Sequence, residues 1–519
     1  MKRFLFLLSS MLWIFSSMAQ TKENSISLTV KTKSGTLEGV NVSGIKTFKG
    51  VPFAQPPVGD LRWREPQPVK TWTGIRKADH FGPRAMQLPL FSDMQFRSDG
   101  VSEDCLYLNI WTPAKQVSDQ LPVLVYFYGG GLMAGDGSEY RYDGESMARR
   151  GIVTVTVNYR LSVFGFFSHP ELTKESPHKA SGNYGFLDQA AALQWVKDNI
   201  TAFGGNPKKI TIAGESAGSF SVSALMASPL SRNNIAGAIG ESGSLLGTRP
   251  LQTLKEAEQQ GLAFGDSLGA KSLAALRALP AQQILDATKN KRVGGVVIDG
   301  YLFPQSPVAI YKAGQQAKVP LLVGWNSQEG NWNGILSKAE PTKENYTKAV
   351  QEMYGAKAKD ILSVYNPQND EDVKQVATDL ASDRFIGFST WRWSDIHAQT
   401  GASKVYRYYY ERPRPVTKEN PSAATSGGAV HSAEIEYALG NLPTNRVYDW
   451  QPDDYLVSDI LQSYFANFIK TGNPNGLALP EWPVVTPGKP AEVMHINVKT
   501  EALTEKYRDR YLLQEKLGN

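Results

Sequence analysis

Cysteine is almost absent from this sequence. A single cysteine, Cys105, occurs among 519 residues, so no disulfide can form within the chain and its stability has to come from burial of a core. A free cysteine is usually a small buried hydrophobic residue, and Cys105 is followed by Leu106. We therefore expect Cys105 to be structural rather than a catalytic thiol.

The sequence also lacks a strong excess of either charge. It has 55 Lys and Arg against 50 Asp and Glu, mixed along the chain without a sustained basic block, so nucleic acid is not an expected partner. No low-complexity segment or long linker divides the chain, and its hydrophobic content of 41% is ample for a large core. We therefore interpret residues 20–519 as one domain. No metal site and no cofactor is predicted.

Long hydrophobic runs are missing except at the N-terminus. Lys2 and Arg3 precede an apolar run over residues 4–15, which is followed by Ser17-Met18-Ala19. This order is typical of a signal peptide, and the run is shorter than the ~20 residues that a membrane-spanning helix needs. We predict cleavage after Ala19 and a soluble mature protein, secreted or periplasmic, without a stable membrane anchor.

Short apolar runs in the middle of the chain alternate with helical patterns. A 3.6-residue apolar stripe over residues 185–199 predicts a helix between two buried strands, which indicates an α/β fold with a parallel sheet covered on both faces. The predicted strands are residues 123–128, 152–157, 210–213, 235–239, 319–323 and 405–410, and a further helix is predicted over residues 455–470.

Two segments match the pattern Gly-x-Ser-x-Gly, around Ser216 and around Ser267. Ser216 follows a predicted strand and precedes a possible helix over residues 217–227, which is the setting of a nucleophile elbow. In such a strained turn the residues two before and two after the serine need to lack a Cβ atom. Ser267 lies in a long polar helical stretch, residues 254–279, without a preceding strand. Ser216 is therefore the predicted nucleophile.

Several segments resemble the type-B carboxylesterase and cholinesterase-like family of α/β-hydrolases. The resemblance runs in family order from about Phe48 to Pro483, and it implies a large, mostly parallel central sheet flanked by helices together with a serine esterase activity. The segments that carry it are residues 103–109, 158–160, 203–207, 210–218, 241–244 and 470–474.

A serine nucleophile needs a base, and the base needs an orienting carboxylate. His431 resembles the catalytic histidine of this family, although Ser432 stands where the family usually has glycine. His397 and His495 also follow a plausible acid in the chain, and His397 lies in a helical pattern. The histidine has to be neutral to act as a base, and an unperturbed imidazole has a pKa of about 6.5. We therefore predict that kcat/KM rises with pH through about 6.5 to 7.

For the acid, the segment that ends at Glu329 follows a predicted strand and resembles the family's acid segment. Asp299 and Asp383 are the competing carboxylates. Glu329 is our choice, with a solvated loop carboxylate as the alternative interpretation.

The developing oxyanion needs preorganised N–H donors. Glycines after the strand 123–127 resemble the oxyanion loop of the family, and the resemblance implies donation by the amides of Gly130, Gly131 and Ala217. Tyr128 stands where the family usually has histidine.

Aromatic residues that flank the acid segment, or that lie in the region over residues 385–393 that often lines the active-site gorge of the family the chain resembles, are candidates for substrate contact. We name Trp325, Phe385, Phe388 and Trp391, although most aromatic residues belong to a core.

Residues 85–102 contain no tryptophan, and this is the segment where cholinesterases carry their cation-binding tryptophan. We therefore predict a preference for neutral esters over choline esters. The sequence leaves two other functions open. One is a binding or adhesion role without catalysis, as in some members of the resembled family, and the other is hydrolysis of amides or thioesters by the same residues.

Overall fold

A computed structural model describes residues 26–422 and 426–518. The predicted signal peptide, residues 1–19, lies outside these residues and stays a prediction. Within the described ranges, no helix combines the length and the apolar character needed to cross a membrane.

The strands are short at the N-terminal end and longer through the centre of the chain. In chain order they are β1 (Thr29–Lys31), β2 (Thr36–Glu38), β3 (Val40–Val42), β4 (Ile45–Pro52), β5 (Ile75–Lys77), β6 (Arg84–Ala85), β7 (Val101–Ser102), β8 (Tyr107–Thr112), β9 (Leu121–Phe127), β10 (Val153–Val157), β11 (Gly205–Glu215), β12 (Gly237–Glu241), β13 (Gln252–Thr253), β14 (Val297–Ile298), β15 (Leu321–Asn326), β16 (Val405–Tyr410), β17 (Glu492–Ile496) and β18 (Glu501–Thr504).

The helices vary from one turn to more than five turns. They are α1 (Glu145–Arg149), α2 (Ser162–Phe166), α3 (Pro170–Glu175), α4 (Tyr184–Asn199), α5 (Ala217–Ala227), α6 (Leu254–Ser267), α7 (Leu273–Ala278), α8 (Ala281–Asp286), α9 (Pro307–Lys312), α10 (Asn333–Leu336), α11 (Lys343–Tyr354), α12 (Ala358–Val364), α13 (Val373–Ser382), α14 (Phe388–Thr400), α15 (Ile435–Leu439), α16 (Pro452–Thr471) and α17 (Arg508–Gly518). A π-helical turn, Asp383–Gly387, joins α13 to α14.

The central sheet has the strand order β18-β17-β16-β15-β12-β11-β9-β10-β8-β4-β3. The strands from β17 to β10 in this order run parallel, and the strands at both edges are antiparallel. All five residues of β10 are buried, because helices cover both faces of a parallel sheet. The α/β-hydrolase fold and its mostly parallel sheet are therefore confirmed.

The six predicted strands and the helix over residues 185–199 are all present, with boundaries shifted by up to five residues. Helix α5 has the bounds that the pattern indicated. The continuous helical stretch predicted over residues 254–279 is wrong. It divides into α6 and α7, because Gly269 after the end of α6 adopts a φ of +70°, a conformation that terminates helices.

A buried ion pair fixes α4 against the segment that follows β10. The Arg160 guanidinium donates to both oxygens of Asp188 at 2.7 and 2.8 Å, and the Arg160 backbone N–H donates to the same carboxylate at 3.0 Å. Both side chains are almost fully buried. The pair holds the helix that precedes β11 and thereby supports the centre of the sheet.

Candidate active site

The turn between β11 and α5 places Ser216 at the carboxyl end of the sheet, in a strained conformation with φ 55° and ψ −117°. A Cβ atom on Gly214 would lie 2.5 Å from the carbonyl carbon of Gly218. One on Gly218 would lie 1.9 Å from the carbonyl oxygen of Phe127. Both glycines are therefore required sterically, because the turn packs directly against the end of β9.

His431 lies in the loop before α15 and meets Ser216 across the end of the sheet. Its Nε2 atom is 2.9 Å from Ser216 Oγ, and its Nδ1 atom is 2.6 Å from Glu329 Oε2. Ser432, the residue after the histidine, has a φ of +66°. Glycine adopts this conformation without strain, so the serine departs from the family pattern at a cost in backbone energy.

Glu329 follows β15 and is held by two further donors. The Asn326 backbone N–H donates to Glu329 Oε1 at 2.6 Å, and the Ser242 hydroxyl donates to the same oxygen at 2.5 Å. The second oxygen is thus left to face His431. These contacts fix the carboxylate in one orientation, as an orienting acid requires.

The structure adds two buried glutamates that the sequence analysis missed. Glu215 Oε1 lies 3.3 Å from His431 Nε2, beside the serine hydroxyl. Glu434 accepts a hydrogen bond from the Asn326 amide at 2.5 Å and lies 3.2 Å from the Ser242 hydroxyl. The signal in the sequence was weak for both: Glu215 is an acidic residue at the variable position directly before the predicted nucleophile, and Glu434 follows the histidine by three residues.

These carboxylates change the titration of the imidazole. Burial lowers the pKa of His431, but the negative charges of Glu215, Glu329 and Glu434 outweigh burial and raise that pKa above its ordinary value. Burial, together with Glu434 and Glu329, raises the pKa of Glu215. The site therefore favours the imidazolium that would form when the serine proton moves to His431.

The competing residues lie elsewhere and have other contacts. Ser267 ends α6 and donates to the Phe264 carbonyl at 2.7 Å. His397 is buried, with Nε2 2.9 Å from the Val319 carbonyl. Asp299 accepts from backbone N–H groups of its own loop, and Asp383 accepts from the Tyr365 hydroxyl at 2.8 Å. Each has a local structural role.

The loop after β9 exposes backbone N–H groups at the same edge. Gly130 and Gly131 have φ values of +107° and +66°. Within the described residues, no hydrogen bond occupies the amides of Gly130, Gly131 or Ala217. The loop is held closed by donation from the Met133 amide to the Gly130 carbonyl at 3.0 Å. A Cβ atom on Gly129 would lie 3.2 Å from the Ser216 Cβ atom, so the loop that carries these free amides begins beside the serine.

Tyr128, which replaces the histidine of the family pattern, is buried and stacks on Tyr159 with ring centroids 4.5 Å apart. The Tyr159 hydroxyl donates to the Tyr128 carbonyl at 2.8 Å, and the Tyr128 hydroxyl donates to the Tyr159 carbonyl at 3.3 Å. This reciprocal pair anchors the first residue of the glycine loop to the segment that follows β10.

The four aromatic candidates separate into two groups. Phe385, on the π-helical turn, is 53% exposed and packs edge-to-face on His431 with centroids 5.0 Å apart. Trp325, Phe388 and Trp391 are almost fully buried in a cluster around Tyr511. Only Phe385 offers its surface next to the histidine.

Comparisons with known proteins identify chains that are similar in sequence and in fold. The sequence profile of the carboxylesterase family matches residues 26–512. The chain is 36% identical over 437 residues to a fumonisin B1 esterase of Sphingopyxis macrogoltabida, covering 80% of this chain and 75% of that one. It is 35% identical to mouse carboxylesterase 1D, with 88% and 87% covered. A solved PNB esterase structure superposes with a TM-score of 0.80 at 29% identity, covering 93% and 99%.

Proposed function

The chain belongs to the carboxylesterase family, and from this premise we propose that it hydrolyses carboxylic esters through an acyl-enzyme on Ser216. The observation that supports this most strongly is the continuous chain of contacts from Ser216 Oγ to His431 at 2.9 Å and from His431 to Glu329 at 2.6 Å. Such a chain activates a hydroxyl that is a poor nucleophile by itself.

In the first half of the reaction, Ser216 Oγ attacks the ester carbonyl carbon while its proton moves to His431 Nε2. The carbonyl oxygen becomes an oxyanion that accepts from the free amides of Gly130, Gly131 and Ala217. Collapse of this intermediate breaks the bond to the alcohol, which leaves with the proton from His431. Glu329 keeps the imidazole oriented and stabilises its cation.

In the second half, water replaces the alcohol. His431 removes a proton from the water as its oxygen attacks the acyl carbon, and the same amides stabilise the second oxyanion. Ser216 then leaves with the proton from His431, and the carboxylic acid is released. No cofactor enters either half.

For the substrate, we propose neutral esters in preference to quaternary ammonium esters, with Phe385 as a contact beside His431. The absence of tryptophan from residues 85–102 supports this choice. We further propose that residues 1–19 are removed on export and that residues 20–519 form one domain. Sequencing of the N-terminus after expression in a bacterium with a periplasm tests the export proposal, which requires Gln20 at the new terminus.

A matched pair of serine variants tests the nucleophile. Both serines lie in Gly-x-Ser-x-Gly, so Ser216→Ala and Ser267→Ala remove the same atom from the same local pattern. We expect Ser216→Ala to lose several orders of magnitude in kcat on nitrophenyl butyrate, and Ser267→Ala to retain activity. A fluorophosphonate should add one adduct to Ser267→Ala and none to Ser216→Ala by intact mass. Equal activity or equal labelling would refute the proposal.

A further inference from the structure

A cavity lies beside the glycine loop, and we call it the basic cavity. Its volume is about 310 Å³, which is within the range of small-molecule sites. Leu88, Leu90, Met133 and Leu285 form its apolar wall. The cavity can therefore hold an aliphatic or aromatic chain rather than only water.

The basic cavity adjoins the glycine loop that we propose to bind the oxyanion. Met133 is two residues after Gly131, so their Cα atoms are at most about 7 Å apart. The Met133 Cε atom would lie 3.5 Å from a Cβ atom on Gly131. A substrate whose ester oxygen points at the glycine loop is therefore within a few bonds of this cavity.

Three cationic side chains, Lys289, Lys291 and Arg292, also line the basic cavity. Lys289 pairs with Asp286 at 2.9 Å. The Lys291 ammonium donates to the neutral Ser267 hydroxyl at 3.2 Å and lies over the Phe264 ring. In the described residues, neither Lys291 nor Arg292 has a carboxylate partner. The cavity thus carries positive charge that the protein does not neutralise.

The segment that carries these cations is anchored at its far end. The Gly295 amide donates to the Phe166 carbonyl at 3.1 Å, and a Cβ atom on Gly294 would lie 2.4 Å from the same oxygen. At its near end, the Thr288 hydroxyl donates to the Leu285 carbonyl at 2.7 Å. Both ends of the segment are therefore fixed, while Lys291 and Arg292 themselves are exposed and line the cavity.

We infer that the basic cavity binds an acidic group of the substrate, so that the favoured substrates are esters with a free carboxylate several bonds from the scissile carbonyl. The inference rests on the proposed ester hydrolysis. Guanidinium and ammonium groups recognise carboxylates through charge-assisted hydrogen bonds, and the apolar wall accommodates the chain between the two groups. The order of preference is then acidic over neutral over cationic esters.

Two pairs of esters test the inference with the intact protein. The first pair is p-nitrophenyl hydrogen adipate and its methyl-capped form, which place the charge on the acyl side. The second is 3-(4-butyryloxyphenyl)propanoate and its methyl ester, which place it on the alcohol side. In at least one pair, we expect kcat/KM of the acidic ester to exceed that of the capped ester by about 5-fold or more at low salt. The ratio should fall at high ionic strength.

A double variant and a matched control test whether Lys291 and Arg292 cause the preference for acidic esters. Lys291→Gln with Arg292→Gln should reduce the ratio of kcat/KM for the acidic ester to that for the capped ester to about 1, because the acidic ester loses more activity than the capped one. Lys255→Gln with Lys338→Gln removes the same charge at exposed residues and should leave the ratio as in the wild type. Arg292→Glu should make the acidic ester the poorer substrate.

The outcomes separate this inference from the proposed function. Turnover of the capped esters with a ratio of 1 or below in both pairs would overturn the inference alone. An unchanged ratio in the Lys291 and Arg292 double variant, or an equal loss in the Lys255 and Lys338 control, would overturn it as well. No Ser216-dependent turnover of any ester would instead refute the proposed function.

Discussion

Replacement of Glu215 by glutamine should move the acid limb of the pH–rate profile to lower pH. The His431 imidazole has to be neutral to accept the serine proton, so kcat/KM falls as pH drops below the pKa of His431. The Glu215 carboxylate raises that pKa by favouring the imidazolium. The acid limb of the wild type should accordingly lie above about 6.5, the ordinary pKa of histidine.

The separation of the two groups sets the size of the shift. At the 3.3 Å between Glu215 Oε1 and His431 Nε2, a unit charge pair is worth about 1.3 kcal/mol even at the dielectric constant of water, and about 5 kcal/mol at an effective constant of 20. One pKa unit corresponds to 1.36 kcal/mol. We therefore expect the limb to move down by at least about 1 pH unit in Glu215→Gln.

The plateau of the profile should fall at the same time, because the imidazolium that forms in the transition state loses a stabilising charge. The assay is kcat/KM for nitrophenyl butyrate across the range in which the wild type loses activity. Glu241→Gln is the matched control, since Glu241 is equally buried but bonds to Tyr126 and not to His431. A limb that stays in place or moves upward in Glu215→Gln would refute the reasoning.

Three further predictions concern the loop, the substrate and the fold. Tyr159→Phe removes the hydroxyl that holds the Tyr128 carbonyl and should lower kcat by about 5- to 10-fold with little change in KM; an unchanged kcat would show that stacking alone holds the loop. Butyrylthiocholine should have a kcat/KM at least about 10-fold below that of phenyl butyrate, and equal values would contradict the substrate preference. Asp188→Asn leaves Arg160 buried without its anion and should lower the free energy of unfolding in urea by about 3 kcal/mol or more; a loss below about 1 kcal/mol would argue against this.

Short-range sequence patterns correctly predicted the helices, strands and turns that depend on neighbouring residues in the chain. The strand before Ser216 and the helix after it follow from an apolar run, two sterically required glycines and a helix-forming segment. The start of β11 did not follow, since Gly205 pairs with Leu121 across an irregularity in the register. The polar composition of residues 254–279 likewise hid the break at Gly269, because a glycine inside a helical pattern does not by itself show that it will adopt a positive φ.

The contacts of the site depend on distance in space, which the sequence does not contain. His431 and Glu329 were identified through resemblance to a family, and their geometry could not be derived from spacing. Glu215 occupied a variable position of the serine motif, so its contact with His431 became apparent only from the fold. Trp325 and Phe385 have the same aromatic character in the sequence, and burial alone separates them: one is in a core cluster, whereas the other lies beside the histidine.

Ser216 and His431 are 215 residues apart in the chain, and Glu329 is 102 residues from His431. Their meeting requires β11, β12, β15 and β16 to be paired in register, and non-local pairing of this kind forms slowly. During refolding from denaturant, helical signal in circular dichroism should therefore recover before esterase activity does. Recovery of activity would mark the pairing of the last parallel strands, so an activity assay would follow the final folding step.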